Sequence, residues 1–225
     1  MTFLDLCKRL RQEAGISGSG PASVLERSGI EKQLVDWIAA AWAEVQGEHT
    51  DWAFNYNDFE FRTEAGKRIY EPGEIAGLMD MSRWEKHSLS FYLETAGRID
   101  ERPLEVISYR EFRSRYDMGV PTQDRPQHAA ICPLNCLQLG PTPEAVYVVR
   151  GEYYRAPQTL AANSDIPRLP ERYHLAIVWR ALMLYAASEE SQALFQGAQI
   201  NYSTLLGQMV RDQLPQFSAN PGPLV

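Results

Sequence analysis

The N-terminal part of the chain carries apolar side chains at the spacing of amphipathic helices. In residues 2–14, Leu4, Cys7, Leu10 and Ala14 recur every three or four positions, with basic and amide side chains between them. This spacing places the apolar side chains on one face of a helix. We therefore predict an amphipathic helix over residues 2–14.

A second helix is predicted to begin at Ser28. Ser28 and Glu31 have the spacing of a capping box, in which each side chain bonds a backbone amide at the start of the helix. The helix is expected to end near Gly47. Its apolar stripe consists of Ile30, Leu34, Trp37, Ile38, Ala41 and Val45.

In the middle of the chain the pattern changes to the alternation that is typical of strands. Residues 58–62 and 68–70 alternate on either side of a turn-like segment, which predicts a β-hairpin. Residues 129–139 predict a strand in which Pro133 marks an edge position or a bulge. Residues 145–155 are rich in β-branched and aromatic side chains, which favours a half-buried strand. The other elements expected here are strands at 88–93 and 103–108 and a short helix from Tyr109 to Tyr116.

Two further helices are predicted before the C-terminus. Residues 167–187 are apolar on most sides, which indicates a helix at the centre of its domain. Pro170 suits the first helical position, where its missing amide hydrogen would be unpaired anyway. The next helix carries residues at spacings of roughly three and four: Leu194, Ala198, Asn201 or Tyr202, Leu205 and Met209. The late prolines predict an extended tail over residues 215–225.

Helices at both ends of the chain with strands between them indicate an α+β fold. We expect a helical bundle built from the N- and C-terminal helices, a central antiparallel β block and an extended C-terminal tail. Residues 1–50 and 167–214 would form the bundle as one compact domain, and residues 51–166 would be a β-rich insertion in it.

Composition narrows the classes of function. The chain has 22 basic and 29 acidic residues and a formal charge of −7, which argues against a free-standing nucleic-acid-binding protein. No window approaches the roughly 20 apolar residues of a membrane span, so we expect no membrane association. The first residues lack the features of a signal peptide, and three cysteines do not make a disulfide framework. We expect an intracellular protein with reduced thiols.

Metal-type ligands cluster at one place in the sequence. His128, Cys132 and Cys136 are four residues apart, so a strand would put the two cysteines on one face. The usual zinc signature has two residues between cysteines and a second ligand pair elsewhere, and both are missing here. Buried small side chains are the favoured interpretation. His174 is expected to be a hydrogen-bonded residue of the core or its edge. Since no catalytic motif occurs, we predict no enzymatic activity, no cofactor and no metal.

Two segments are candidates for contacts with other proteins. Arg110, Arg113 and Arg115 are interrupted by Glu111 and Asp117. This pattern favours a solvated helix or a salt-bridged surface between subunits over a nucleic-acid site. The tail is too short and too rich in proline to build its own core, so it is either disordered or ordered on a partner. Its candidate contact residues are Pro215, Phe217, Pro221, Pro223, Leu224 and Val225.

Two regions together resemble the adaptor proteins of tailed bacteriophages, which join the portal of the capsid to the tail. One region opens the chain at Met1-Thr-Phe-Leu-Asp-Leu and continues to Leu34-Val-Asp-Trp-Ile-Ala-Ala-Ala-Trp. The other is Leu169-Pro-Glu-Arg-Tyr-His and the helical segment that follows it, through Ala187. The β block between them is less diagnostic.

The resemblance implies a structural protein of the virion, assembled in the host cytoplasm and located at the head–tail interface. It would form a ring, typically of twelve copies, that binds the portal through residues 215–225 and meets tail or nozzle proteins on its other side. DNA would pass through without specific binding, because an acidic wall repels phosphate. Trp179 and Met183 become candidates for contacts between subunits, together with the three arginines.

Two other interpretations stay open at this point. The first is a different structural module of the phage tail or baseplate, whose β block would bind another protein or a host glycan. The second, less favoured, is a small metal-dependent hydrolase that would use His128, Cys132 and Cys136.

Overall fold

The computed structural model describes residues 1–120 and 122–215. Helices lie at both ends of the chain and strands lie between them, which confirms the α+β fold. The chain divides into two compact units. The helical unit combines Met1–Asn55 with the chain from Pro157 onward, and the β unit spans Tyr56–Ala156. Each unit has a hydrophobic core of its own.

Four of the described helices belong to the helical unit, and the third helix of the chain lies in the β unit. The helices are α1 (Phe3–Glu13), α2 (Gly29–Gly47), α3 (Tyr109–Tyr116), α4 (His174–Ser188) and α5 (Gln192–Gln213).

Helix α4 is the central element of the helical unit. It packs against α1, α2 and α5, and the side chains of Ile177 and Ala181 are fully buried. The predicted central position is thus confirmed. Pro170, however, does not occupy the first position of α4. Its carbonyl accepts a hydrogen bond from the Tyr173 amide at 2.8 Å, which makes a 3-10 turn, so the α-helix begins only at His174.

The capping box forms at α1 and not at α2. Thr2 Oγ1 accepts from the Asp5 amide at 3.2 Å, and Asp5 Oδ2 accepts from the Thr2 amide at 3.0 Å. The prediction at Ser28 is wrong, because its side chain makes no capping hydrogen bond. Gly29 has a left-handed φ of 56° that redirects the backbone there, and Glu31 pairs instead with Arg27 at 3.3 Å.

The β unit consists of two four-stranded sheets. The strands are β1 (Tyr56–Arg62), β2 (Ile69–Tyr70), β3 (Met81–Leu93), β4 (Arg102–Pro103), β5 (Glu105–Val106), β6 (His128–Ile131), β7 (Leu137–Gly140) and β8 (Tyr147–Arg155). The first sheet has the order β1-β8-β3-β4 and the second β2-β7-β6-β5. All pairs are antiparallel except β5–β6. Apolar side chains of both sheets, among them Phe59, Trp84, Leu137 and Leu139, form its core.

The predicted hairpin over residues 58–70 is wrong. β1 pairs with β8 in the first sheet, whereas β2 pairs with β7 in the second. The segment between β1 and β2 therefore carries the chain from one sheet to the other. Thr63 fixes its start, since its Oγ1 accepts from the Tyr147 amide at 2.8 Å. Both strands show the alternation of apolar and polar residues that a hairpin would show, but each pairs with a strand that is distant in sequence.

The single strand predicted over residues 129–139 is also wrong, because the chain folds there into a hairpin of β6 and β7. The turn between them is closed by a disulfide from Cys132 to Cys136, whose Cα atoms are 5.2 Å apart. The expectation of reduced thiols is therefore wrong for these two residues. Pro133 lies in the turn, and Asn135 adopts a left-handed φ of 65° there. Cys7 is a buried free cysteine, and burial raises the pKa of its thiol to about 12.

Candidate interaction surfaces

Helix α3 lies against the outer face of the second sheet. The side chain of Phe112 is fully buried there, and the Ser108 hydroxyl caps the helix by accepting from the Glu111 amide at 3.2 Å. Gly140 permits the close approach, because a Cβ atom at this position would lie 2.6 Å from the Tyr116 ring and 2.8 Å from the Phe112 ring. The sheet thus fixes which side of α3 faces solvent.

The arginines predicted as a subunit contact lie on the solvent side of α3. Arg115 pairs with Glu111 one turn earlier. Arg113 Nε lies 3.4 Å from the Asp117 carboxylate, which also pairs with a neighbouring arginine, Arg68. Arg110 is exposed and makes no ion pair with any residue of the described ranges. Of the three, Arg110 is the side chain that a partner could engage without breaking an existing pair.

A surface groove of about 470 Å³ runs beside Arg110. It is lined by Tyr109, Arg110, Arg113, Ser114, Asp117 and Met118. The side chain of Met118 is 75% exposed, and Val120 just after it is 88% exposed. Exposed apolar side chains next to a free guanidinium suit a protein surface that is both acidic and apolar.

A row of carboxylates crosses the outer face of the first sheet. Asp58 of β1 lies opposite Glu152 of β8, which in turn lies opposite Glu85 of β3. Tyr56 donates its hydroxyl hydrogen bond to Glu152. Burial is the main cause that raises the pKa of the Tyr56 hydroxyl, and its hydrogen bond to Glu152 raises this pKa further. Sequence reasoning missed this row, because the three acids belong to separate segments and meet only through the strand register.

The two candidate residues of α4 differ in exposure. Met183 belongs to the core of the helical unit and is only 6% exposed. Trp179 packs at the edge of the same core and keeps part of its ring at the surface. In the single chain, Trp179 is therefore the one of the two that offers area to another molecule.

Of the candidate tail residues, only Pro215 is described, and it is exposed. Helix α5 ends at Gln213, and the backbone of Leu214 is extended. Phe217, Pro221, Pro223, Leu224 and Val225 lie outside the described residues.

A protein-family model described as SU10 adaptor protein matches residues 1–224. The chain belongs to the SU10 adaptor protein family. This membership confirms the resemblance to the adaptors of tailed bacteriophages, and it identifies a structural role in the virion. The comparison with curated proteins gave no match.

The three candidate ligands of the metal-dependent alternative have other partners within the described residues. Cys132 and Cys136 are bonded to each other, and His128 contacts the Tyr116 hydroxyl through Nδ1 at 2.6 Å. Its Nε2 lies 3.2 Å from Arg115. Across residues 1–120 and 122–215, no three His, Cys, Asp or Glu side chains are grouped so that they could hold a metal ion.

His174 of the adaptor is a buried, hydrogen-bonded residue, as predicted. Its Nε2 lies 2.8 Å from the Leu169 carbonyl and its Nδ1 lies 2.9 Å from the α-amino nitrogen of Met1. Burial lowers the pKa of its imidazole. Among the described helices of the adaptor, none is both long and apolar enough to cross a membrane.

Proposed function

We propose that this protein is a head-to-tail adaptor, which forms a ring that joins the portal to the tail and surrounds the path of the DNA. The observation that carries the proposal is the match to the SU10 adaptor family over residues 1–224, which includes both units of the chain. In this role it needs neither catalysis nor a cofactor. It would act in the virion after assembly in the host cytoplasm.

The helical unit would build the wall of the ring, and the β unit would meet tail or nozzle proteins or a neighbouring subunit. A closed ring needs two different complementary surfaces on each subunit. We assign subunit contacts to Arg110, Arg113, Arg115, Trp179 and Met183. Arg110 and Trp179 support this assignment best, since both have accessible side-chain surface.

Residues 215–225, which the sequence predicts to be extended, would attach each subunit to the portal. This segment follows α5, which ends at Gln213, and its proline content would reduce the entropy lost on docking. Its apolar contacts would be Pro215, Phe217, Pro221, Pro223, Leu224 and Val225. We expect twelve copies per portal, so that each attachment site is used.

The net charge supports a conduit role. A formal charge of −7 per copy sums around a ring and repels phosphate, so DNA can pass without being held. Specific DNA binding would oppose this passage.

Native mass spectrometry of the protein mixed with portal oligomers tests the proposal. We expect twelve copies to bind per portal oligomer. A chain that lacks residues 215–225 should lose binding, while its circular dichroism spectrum stays unchanged.

A chain with the same tail residues in shuffled order is the matched control, because it keeps tail length and composition. It should also fail to bind if the order of side chains matters. A full-length protein that stays monomeric beside the portal would contradict the proposal and favour another tail or baseplate module.

A further inference from the structure

The β unit presents two oppositely charged surfaces on its two outer faces. The first, the α3 surface, consists of Arg110, Arg113, Met118 and Val120 on and after the helix that covers the second sheet. The second, the carboxylate row, consists of Asp58, Glu152 and Glu85 on the outer face of the first sheet. Because they lie on opposite faces of the β unit, the two surfaces of one chain cannot contact each other.

The carboxylate row sets three like charges side by side, while Arg150, the basic residue that lines the same hollow as Asp58 and Glu152, is held by Glu60 and Glu101. Like charges on directly opposite strand positions destabilise a sheet, and here three such positions follow one another across β1, β8 and β3. Asp58 is exposed and has no ion-pair partner among the described residues. A cation from outside the subunit would relieve this repulsion.

Arg110 of the α3 surface is a cation of the required kind. It is exposed and unpaired within the described ranges, and its long side chain can reach across a contact. The apolar parts also match, because the Tyr56 ring beside the row is 37% exposed and Met118 beside Arg110 is 75% exposed. A methionine side chain packs favourably on an aromatic ring.

We propose that the α3 surface of one subunit binds the carboxylate row of the next subunit in the ring, with Arg110 facing Asp58. This inference rests on the proposed ring. Since the surfaces differ and lie on opposite outer faces of the β unit, their contact is head-to-tail, which is the type of contact that generates rings. Nucleic acid fits neither surface, because the row repels phosphate and Glu111 and Asp117 interrupt the arginines.

Charge reversal tests the contact in complexes with portal oligomers. Arg110→Glu and Asp58→Arg, each alone, should lower the assembly constant of the ring by about tenfold or more at low salt, because each places like charges opposite each other. An equimolar mixture of the two variants should assemble again, since every contact in an alternating ring then joins opposite charges. The doubly substituted chain should recover as well.

Arg102→Glu on β4 is the matched control, because it reverses an exposed arginine of the β unit that belongs to neither surface and lies 4.0 Å from its nearest paired carboxylate, Asp100. It should assemble like the unmodified chain. If the wild-type ring forms and neither reversal weakens it, the proposed contact is wrong while the adaptor function stands. If each reversal weakens assembly but the mixture does not recover, the pairing of these two surfaces is wrong.

A wild-type chain that does not assemble with portal contradicts the proposed function instead. In that case sedimentation velocity of the protein alone at low salt tests the contact, because it measures whether the subunits associate with each other. Self-association that both reversals abolish and their mixture restores would support it. A monomer at all concentrations, or binding of a DNA duplex by the α3 surface in its place, would overturn it.

Discussion

His174 shows how one buried side chain makes the stability of the helical unit depend on pH. Only 1% of the residue is exposed, and its Nε2–H donates to the Leu169 carbonyl. Desolvation lowers the imidazole pKa first, and the α-amino group of Met1 lowers it further. The hydrogen bond to the Leu169 carbonyl opposes this lowering of the pKa, and the Glu171 carboxylate opposes it to a smaller extent. The folded chain therefore keeps the ring neutral where the unfolded chain protonates it.

We expect the free energy of unfolding to fall as pH drops below the unfolded value of 6.5, because the unfolded state then binds the extra proton. The loss should level off once pH reaches the lowered folded pKa. His174→Gln should remove this component from urea unfolding curves measured between pH 7 and pH 5. His87→Gln, at an exposed position of β3, is the control. An unchanged pH profile in the His174 variant would disprove the assignment.

The helix caps give a second prediction at this scale. Thr2→Ala should lower the free energy of unfolding by about 1 kcal/mol, because it removes a capping hydrogen bond at α1. Ser28→Ala should change it much less, since the Ser28 side chain caps nothing. Chemical denaturation monitored by circular dichroism measures both. Equal losses in the two variants would mean that Ser28 caps α2 in solution.

The same comparison shows why residue-level detail was only partly predictable. Thr2 and Ser28 are each followed three positions later by an acid, so their sequence signatures are nearly equal. What separates them is the left-handed φ of Gly29 and the competing Arg27–Glu31 pair. Neither is encoded in the spacing of the cap residues.

At the scale of elements, two glycines should respond in opposite ways to the same added methyl group. Gly140→Ala should destabilise the β unit by about 1–3 kcal/mol, because the new Cβ would collide with the rings of Tyr116 and Phe112 under α3. Gly207→Ala should stabilise α5 by about 0.5–1 kcal/mol, since its Cβ would meet nothing. Thermal and urea unfolding test both. A neutral Gly140→Ala variant would show that α3 is not held closely against the sheet.

Helices were more predictable than strand pairing, for a physical reason. The bounds of α3 agree with the sequence pattern, because a helix satisfies its backbone within a few residues and carries its own period. β1 and β2 also show the expected alternation, yet each pairs with a strand more than sixty residues away. Alternation identifies a strand but not its partner. In residues 129–139 the sequence did not reveal the turn between β6 and β7. Pro133 and the two cysteines are compatible with a bulged strand as well as with a turn.

At the scale of the whole molecule, the charge predicts weak interaction with DNA. With a formal charge of −7, we expect no binding to a duplex tighter than about 10⁻⁴ M at physiological salt. Fluorescence anisotropy of a labelled duplex measures this. Lowering the salt should reveal little binding, because few phosphates would be neutralised. Micromolar binding that weakens steeply with salt would contradict a passive conduit.

The candidate surfaces were predictable only in part. Arg110 could be predicted as a contact residue because it is a basic residue in a short helix. The acids nearby in the sequence, Glu111 and Asp117, pair with Arg115 and Arg113 instead. The carboxylate row was not predictable, since Asp58, Glu85 and Glu152 become neighbours only when β1, β8 and β3 align. Membership of the adaptor family suggests that subunits assemble, but it does not say which surfaces are in contact. The proposal of the carboxylate row as a contact surface required the register of β1, β8 and β3.

The pairing of β1 with β8 has a consequence for how this protein can change. Tyr56 at the start of the β unit lies opposite Tyr154 near its end, so the Cα atoms of this pair are about 5 Å apart and the chain enters and leaves the unit at neighbouring positions. The helical unit therefore needs just a short bridge between its two halves. Because each unit has its own core, we expect a chain with a short linker in place of residues 56–156 to keep the fold of the helical unit. If the proposed attachment to portal and tail is right, a phage lineage could adapt to a new tail by changing this unit alone.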